Sequence, residues 1–179
     1  MPIEEKTLKS ERIYEGKIIN LRVDTVELPQ KKYSKREIVE HSGAVGILPI
    51  TKENKIIFVR QFRKPVEEIL LEIPAGKIEA NESTEKCALR ELKEETGYSA
   101  KDIKKILDFY TTPGFTNEVM HIYLAENLEE GTASPDEDEY IELVSLSLEE
   151  ALEYIKEGKI KDSKTIIAIL TYKNLSLIL

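Results

Sequence analysis

Between Asn81 and Thr96 the chain changes its period. Ala88, Leu89 and Leu92 recur there at helical spacing, and Gly97 follows as a stop. Upstream, apolar residues instead alternate or run in short blocks bounded by turn residues, the pattern of strands. Lys17 to Leu28 is one such block, broken by Pro29, and Arg36 to Glu40 resumes it as a small hairpin or meander. Ala44 to Ile50 and Lys55 to Gln61, separated by the polar turn Thr51 to Asn54, predict a second hairpin. Ile69 to Ile73 adds a strand closed by Pro74. Beyond the helix, strands are predicted around Ile103 to Tyr110, Glu118 to Ala125 and Ile141 to Ser145. Two helices follow, Ser147 to Glu157, opened by the capping box Ser147-x-x-Glu150, and Ser163 to Leu175. The chain therefore reads as mixed α/β, with a largely antiparallel sheet and few helices.

Composition narrows the function. The 179 residues suit one domain with an extension, and no apolar run approaches the roughly 20 residues of a membrane helix. The opening segment carries acids and no apolar core, so nothing resembles a secretory signal and a cytoplasmic location is expected. One cysteine, Cys87, and two histidines exclude a disulfide framework and a thiolate or His-rich metal site; Cys87 reads as a small packed residue. A net charge of −8 argues against nucleic-acid binding. That charge is unevenly spread: Ile106 to Ile155 holds thirteen acids and no Lys or Arg, leaving the remainder of the chain at +5. Such a block is either a solvated surface or a cation site.

The central helix concentrates acids where they harm it. Glu91 is flanked at i+3 and i+4 by Glu94 and Glu95, spacings that cost roughly 0.2–0.5 kcal/mol per like-charged pair. Glu94 and Glu95 also lie in the last turn, where the negative end of the macrodipole disfavours acids by roughly 0.3–1 kcal/mol each. An exposed acidic face partly neutralised by Arg90, which reaches Glu94 at i+4, is one explanation. The other is a hard divalent cation such as Mg²⁺, which prefers carboxylate and carbonyl oxygen.

Gly76, Glu82 and the run Arg90-Glu91-Leu92-Lys93-Glu94-Glu95-Thr96-Gly97-Tyr98 match the pattern G-x5-E-x7-R-E-U-x-E-E-x-G-U over 23 residues, with Tyr98 in place of the usual aliphatic residue. In this the chain resembles the Nudix hydrolases. Outside the box it is similar to the ADP-ribose pyrophosphatase branch: Pro113 lies fifteen residues after Tyr98, and Lys35-Arg36-Glu37, Arg60-Gln61-Phe62-Arg63 and Leu71-Glu72-Ile73-Pro74-Ala75-Gly76 fit the flanking elements.

The resemblance implies an α/β/α sandwich, with an N-terminal β extension over residues 1–42 and the hydrolase domain over 43–179. It implies Mg²⁺-dependent cleavage of ADP-ribose to AMP and ribose 5-phosphate, with Mn²⁺ as an alternative ion. By similarity the metal ligands are the Ala75 carbonyl, Glu91, Glu95 and Glu94, while Glu82 and Arg90 are structural, Arg90 orienting the carboxylates. In the family a glutamate in an acidic loop closes over the substrate; here the loop Gly131 to Tyr140 offers Glu139 first and Glu137 second, Glu139 also being a candidate metal ligand. Arg36, Arg63, Glu118 and Gly114 are the expected substrate contacts, the arginines for their forked geometry and Glu118 for the terminal ribose. N-terminal strands often exchange between subunits in this branch, so a homodimer is expected. Two alternatives stay open: the same chemistry on a nucleotide sugar or dinucleoside polyphosphate, and an ADP-ribose-binding module without catalysis, against which the intact Glu91, Glu94 and Glu95 speak.

Overall fold

A computed structural model describes residues 3–134 and 140–175. The chain divides into two compact units, Met1–Gly43 with Phe109–Val119, and Ala44–Asp108 with Met120–Leu179.

The first unit is built on a three-stranded antiparallel sheet, β1 (Lys6–Glu15), β2 (Asn20–Leu28) and β3 (Lys32–Glu40), in that order. β1 departs from expectation. Its residues are exposed along its whole length, so no apolar alternation marks it, and pairing with β2 is what makes it a strand. The segment Thr111 to Glu118 closes as a tight loop: the Phe115 and Thr116 amides both donate to Thr112 O at 3.2 Å. Val39 N–H donates to Phe115 O at 2.8 Å, and the His41 amide donates to the Asn117 side chain at 2.9 Å, fastening the loop to the end of β3.

The second unit carries two sheets. One runs β7 (Ala75–Lys77), β4 (Ala44–Pro49), β9 (Val119–Glu129), β8 (Ser99–Tyr110); the other runs β10 (Glu142–Ser147), β5 (Lys55–Arg63), β6 (Glu68–Glu72). The expected hairpin of β4 with β5 does not form. β4 is flanked on both edges, antiparallel by β7 and parallel by β9, so β5 stays joined to it at the turn, through the bridge Ile50 to Ile56 and the Thr51 N–H on Lys55 O at 2.8 Å, and forms its ladders with β10 and β6 instead. Burial explains the split. Ile56, Ile57, Phe58 and Val59 are all buried, which a strand covered on both faces permits and a surface hairpin does not.

Helix α1 (Thr84–Thr96) packs on β4 and β7. Cys87, Ala88 and Leu92 of α1 join Val45 and Ile47 of β4 and Tyr123, Ala125 and Leu128 of β9 in one buried cluster. The helix begins three residues later than its periodicity suggests, because Asn81 takes φ 65° and Ser83 supplies the cap, accepting from the Lys86 amide. α2 (Leu148–Lys156) opens on the predicted capping box, with Ser147 N–H donating to Glu150 at 2.8 Å and Glu150 N–H to Ser147 Oγ at 3.2 Å. α3 (Ser163–Lys173), capped by Asp162, lies against α2 and β4. Among the described residues no helix is long and apolar enough to cross a membrane.

Candidate active site

The site is assembled from α1 and the strand end it covers. Chain passing from β6 to β7 runs under the helix at Ala75 and Gly76, and it does so tightly. A Cβ added to Gly76 would lie 1.9 Å from the Glu91 carboxyl carbon, so glycine is what lets this backbone pass against that carboxylate. Glu95 is buried, 4% exposed, and accepts the Ala75 amide at 2.9 Å. The peptide at Ala75 is thereby set against two helix carboxylates, as helical spacing places Glu91 and Glu95 one turn apart.

Arg90 organises the remaining acids. Its Nε and Nη2 donate to the two Glu82 oxygens at 2.9 and 3.0 Å, while Nη1 donates to Glu91 at 2.7 Å and Glu94 at 2.9 Å. This forked geometry suits arginine and no other side chain. The same fork, helped by the Glu79 amide, pulls the Glu82 carboxyl down to about 2, and the surrounding acids push the Arg90 guanidinium up in turn. Cys87, buried beside this cluster, has its thiol raised to about 12 chiefly by burial, so it is an inert packed residue.

A group whose folded pKa lies below its unfolded value stabilises the fold above the unfolded pKa and ceases to do so as pH falls. The Glu82–Arg90 pair should therefore support the fold at neutral pH and lose that effect between about 4.5 and about 2. Glu82→Gln is expected to be less stable than wild type at neutral pH, the gap closing as pH falls through that window. Urea unfolding at a series of pH values measures this, and a gap independent of pH would mean that the pair acts through shape alone.

Gly97 ends α1 with φ 78°, its N–H on Lys93 O at 2.9 Å. The stem of the acidic loop docks here. Ser134 N–H donates to Glu94 O at 2.9 Å, and Gly97 and Gly131 approach so closely that a Cβ on either would meet the other segment's backbone at 2.7–2.8 Å. Glu137 and Glu139 lie outside the described residues.

The other sequence candidates fall in different places. Arg63, on β5, gives its fork to the buried Glu72, Nε to Oε1 at 2.7 Å and Nη2 to Oε2 at 2.8 Å. It thus braces a strand, because the buried carboxylate needs a countercharge. Arg36, in the first unit, makes the same two-pronged contact with the exposed Glu5, at 2.9 and 2.6 Å. Glu118 accepts from the Thr111 hydroxyl at 2.7 Å and stands 3.5 Å from His41 Nδ1; Gly114 is at the open tip of the Thr111 to Glu118 loop.

The donors around Ala75 fit a hard divalent cation in kind: carboxylate and peptide oxygens only, with no sulfur or imidazole, gathered where a glycine makes room. Among the described residues no three acids or imidazoles are already arranged as a complete ligand set, since Arg90 holds oxygens of Glu91 and Glu94. Two groups that matter here escaped the sequence reading. Lys164 and Thr165 reach this strand end from α3, and the one hint of them was a charged residue, Glu72, inside the apolar run Ile69 to Ile73.

A carboxylate-bearing helix clasping a glycine-containing strand end on a mixed sheet defines a known class. Residues 40–168 match the NUDIX domain and residues 5–39 the nucleoside diphosphate sugar hydrolase N-terminal domain, and the chain belongs to the Nudix family. It is 53% identical over 169 residues to the ADP-ribose pyrophosphatase of Bacillus subtilis (strain 168), covering 93% of this chain and 91% of that one. It is 52% identical over 168 residues, with the same coverage, to the methanol dehydrogenase activator of Bacillus methanolicus. Its fold is that of a solved ADP compounds hydrolase, with a TM-score of 0.86 at 22% identity over 96% of this chain and 94% of the other.

Proposed function

We propose that this Nudix hydrolase cleaves the pyrophosphate bond of ADP-ribose, giving AMP and ribose 5-phosphate, with Mg²⁺ as its ion. The observation that carries the reading is the clasp of Glu91 and Glu95 on the Ala75–Gly76 backbone, in a chain 53% identical to an ADP-ribose pyrophosphatase. The Ala75 carbonyl with Glu91, Glu95 and Glu94 would hold the ion or ions. When bound, such an ion neutralises phosphoryl oxygens and lowers the pKa of a water.

The chain's own residues do the rest. Arg90 keeps Glu82, Glu91 and Glu94 aligned, and its positive charge offsets the repulsion among them. Glu95 fixes the Ala75 peptide while bringing its own charge to the same point. Glu139, with Glu137 as second choice, takes the role of holding the attacking water and accepting its proton. Glu118 is assigned the terminal ribose, Gly114 gives substrate room at the loop tip, and Arg36 faces the diphosphate or adenine. The exposed strand β1, with Leu8, Ile13 and Tyr14 open to solvent, supports a homodimer joined through residues 1–42. Sedimentation should then give twice the 20.5 kDa chain mass, and a fully active monomer would remove that part of the reading.

A substrate panel with Mg²⁺ tests the whole: ADP-ribose, NADH, GDP-mannose, diadenosine polyphosphates and nucleoside triphosphates. ADP-ribose is expected to have the highest kcat/KM. Negligible ADP-ribose cleavage beside rapid turnover of another compound would transfer the assignment to that compound.

A further inference from the structure

The Ala75 carbonyl follows directly on an awkward stretch of chain. β6 ends at Glu72 in one sheet and β7 begins at Ala75 in the other, so Ile73 and Pro74 cross between sheets. Ile73 N–H has left the β6 ladder, and Pro74 has no N–H to offer. A buried amide at such a point needs a partner from elsewhere.

It comes from α3. Thr165 is fully buried, and its Oγ1 accepts Ile73 N–H at 2.8 Å while donating to the Asp162 carboxylate at 2.5 Å. The Thr165 amide also donates to Asp162, at 3.0 Å, which fixes the first turn of the helix. One residue earlier, Lys164 pairs with Glu72 and, at 3.1 Å, with Asp162. Glu72 is 1% exposed and also takes Arg63 at both its oxygens. Further along, Pro74 O accepts Ile47 N–H at 2.8 Å and Ala75 N–H meets Glu95. Every residue from Glu72 to Ala75 is thus held from outside its own strand, the first two by α3.

Burying this set of charges is a poor way to gain stability, since well-packed apolar side chains of like volume hold a helix to a sheet as well or better. What the charges and the hydroxyl provide is direction: they define the angle at which the chain leaves the crossing. We propose that the first turn of α3, through Thr165 and Lys164, is the positioning element of the Ala75 carbonyl. Thr165 and Lys164 are positioning residues, acting through Ile73 and Glu72. The inference rests on the assignment of Ala75 as an ion ligand.

The test is Mn²⁺ binding by the full chain without substrate, followed by electron paramagnetic resonance, alongside steady-state kinetics. Thr165→Val keeps the shape and removes the acceptor; it is expected to weaken Mn²⁺ binding about tenfold, the scale on which residues behind metal ligands act, and to lower kcat with KM little changed. Thr165→Ser, which restores the hydroxyl, should return both to within about threefold of wild type. Lys164→Met, which leaves Arg63 on Glu72, gives a second variant with the same direction of effect. Ile169→Val, a buried change on the same helix, should lower Tm without altering Mn²⁺ affinity. Wild-type Mn²⁺ affinity in Thr165→Val, with Glu95→Gln failing to bind, would overturn the positioning role alone. Wild-type affinity in Glu95→Gln as well would overturn the ion assignment and the proposal with it.

Discussion

Adding one methyl group at Gly76 is expected to remove most of the activity while leaving the fold in place. The new Cβ would stand 1.9 Å from the Glu91 carboxyl carbon and equally close to one of its oxygens. Gly76 does not use the positive-φ region, so alanine adopts its backbone without strain. What must yield is the far end of a flexible side chain, and Glu91 can swing aside at little cost. That movement takes a proposed ion ligand away from the Ala75 carbonyl. Misplacement of a reacting group by about 1 Å can cost about 10²-fold, so Gly76→Ala should lose at least about that factor in kcat. Its Tm should stay within about 4 °C of wild type. Kinetics and thermal unfolding on the same preparation decide the matter, and near-normal kcat would show that Glu91 is not needed where it lies.

Glu95→Gln separates charge from shape. Glutamine keeps an oxygen that can accept the Ala75 amide, so the strand end stays satisfied and the protein should fold. The negative charge offered to a cation is gone. A loss of about 10²–10³-fold in kcat is expected, the scale on which one preorganised electrostatic contact acts in an active site. Raising Mg²⁺ should recover part of it if the weakened step is ion binding. Glu95→Ala removes the acceptor too, leaving a buried N–H unpaired at about 1–3 kcal/mol, so it should be less stable than the glutamine variant. Full activity of Glu95→Gln with the same Mg²⁺ dependence as wild type would take Glu95 out of the ion site.

How much of this was legible beforehand divides by range. The segments that became β2, β3, β4, β5, β6, β8, β9 and β10, and the three helices, each announce themselves locally, by apolar spacing or by caps such as Ser147 with Glu150. The crowding of Glu91, Glu94 and Glu95 on one helix end is likewise a local anomaly, and Arg90 reaches Glu94 as its spacing requires. Partner choice was not legible. The turn at Thr51 to Asn54 forms, yet β4 and β5 part company because β4's two edges are taken by β7 and β9, the latter more than 70 residues on. β1 buries neither face, so hydrophobic alternation had nothing to report. The contact of Thr165 with Ile73 spans 92 residues, and only packing creates it.

The junction between α1 and the stem of the acidic loop has a consequence for how such an enzyme can diversify. Gly97, Gly131 and the peptide groups of 132–134 meet through backbone atoms, and Ser134 joins Glu94 amide to carbonyl. Side chains at 132–134 take no part in those contacts. A fastening of this kind is indifferent to the sequence it launches, provided the two glycines stay. Cassettes of different composition exchanged after Ser134 would start from the same anchored point beside the carboxylate-bearing helix α1. Loop composition can then vary while the α1 carboxylates keep their places, provided the insert retains the acid proposed to hold the attacking water.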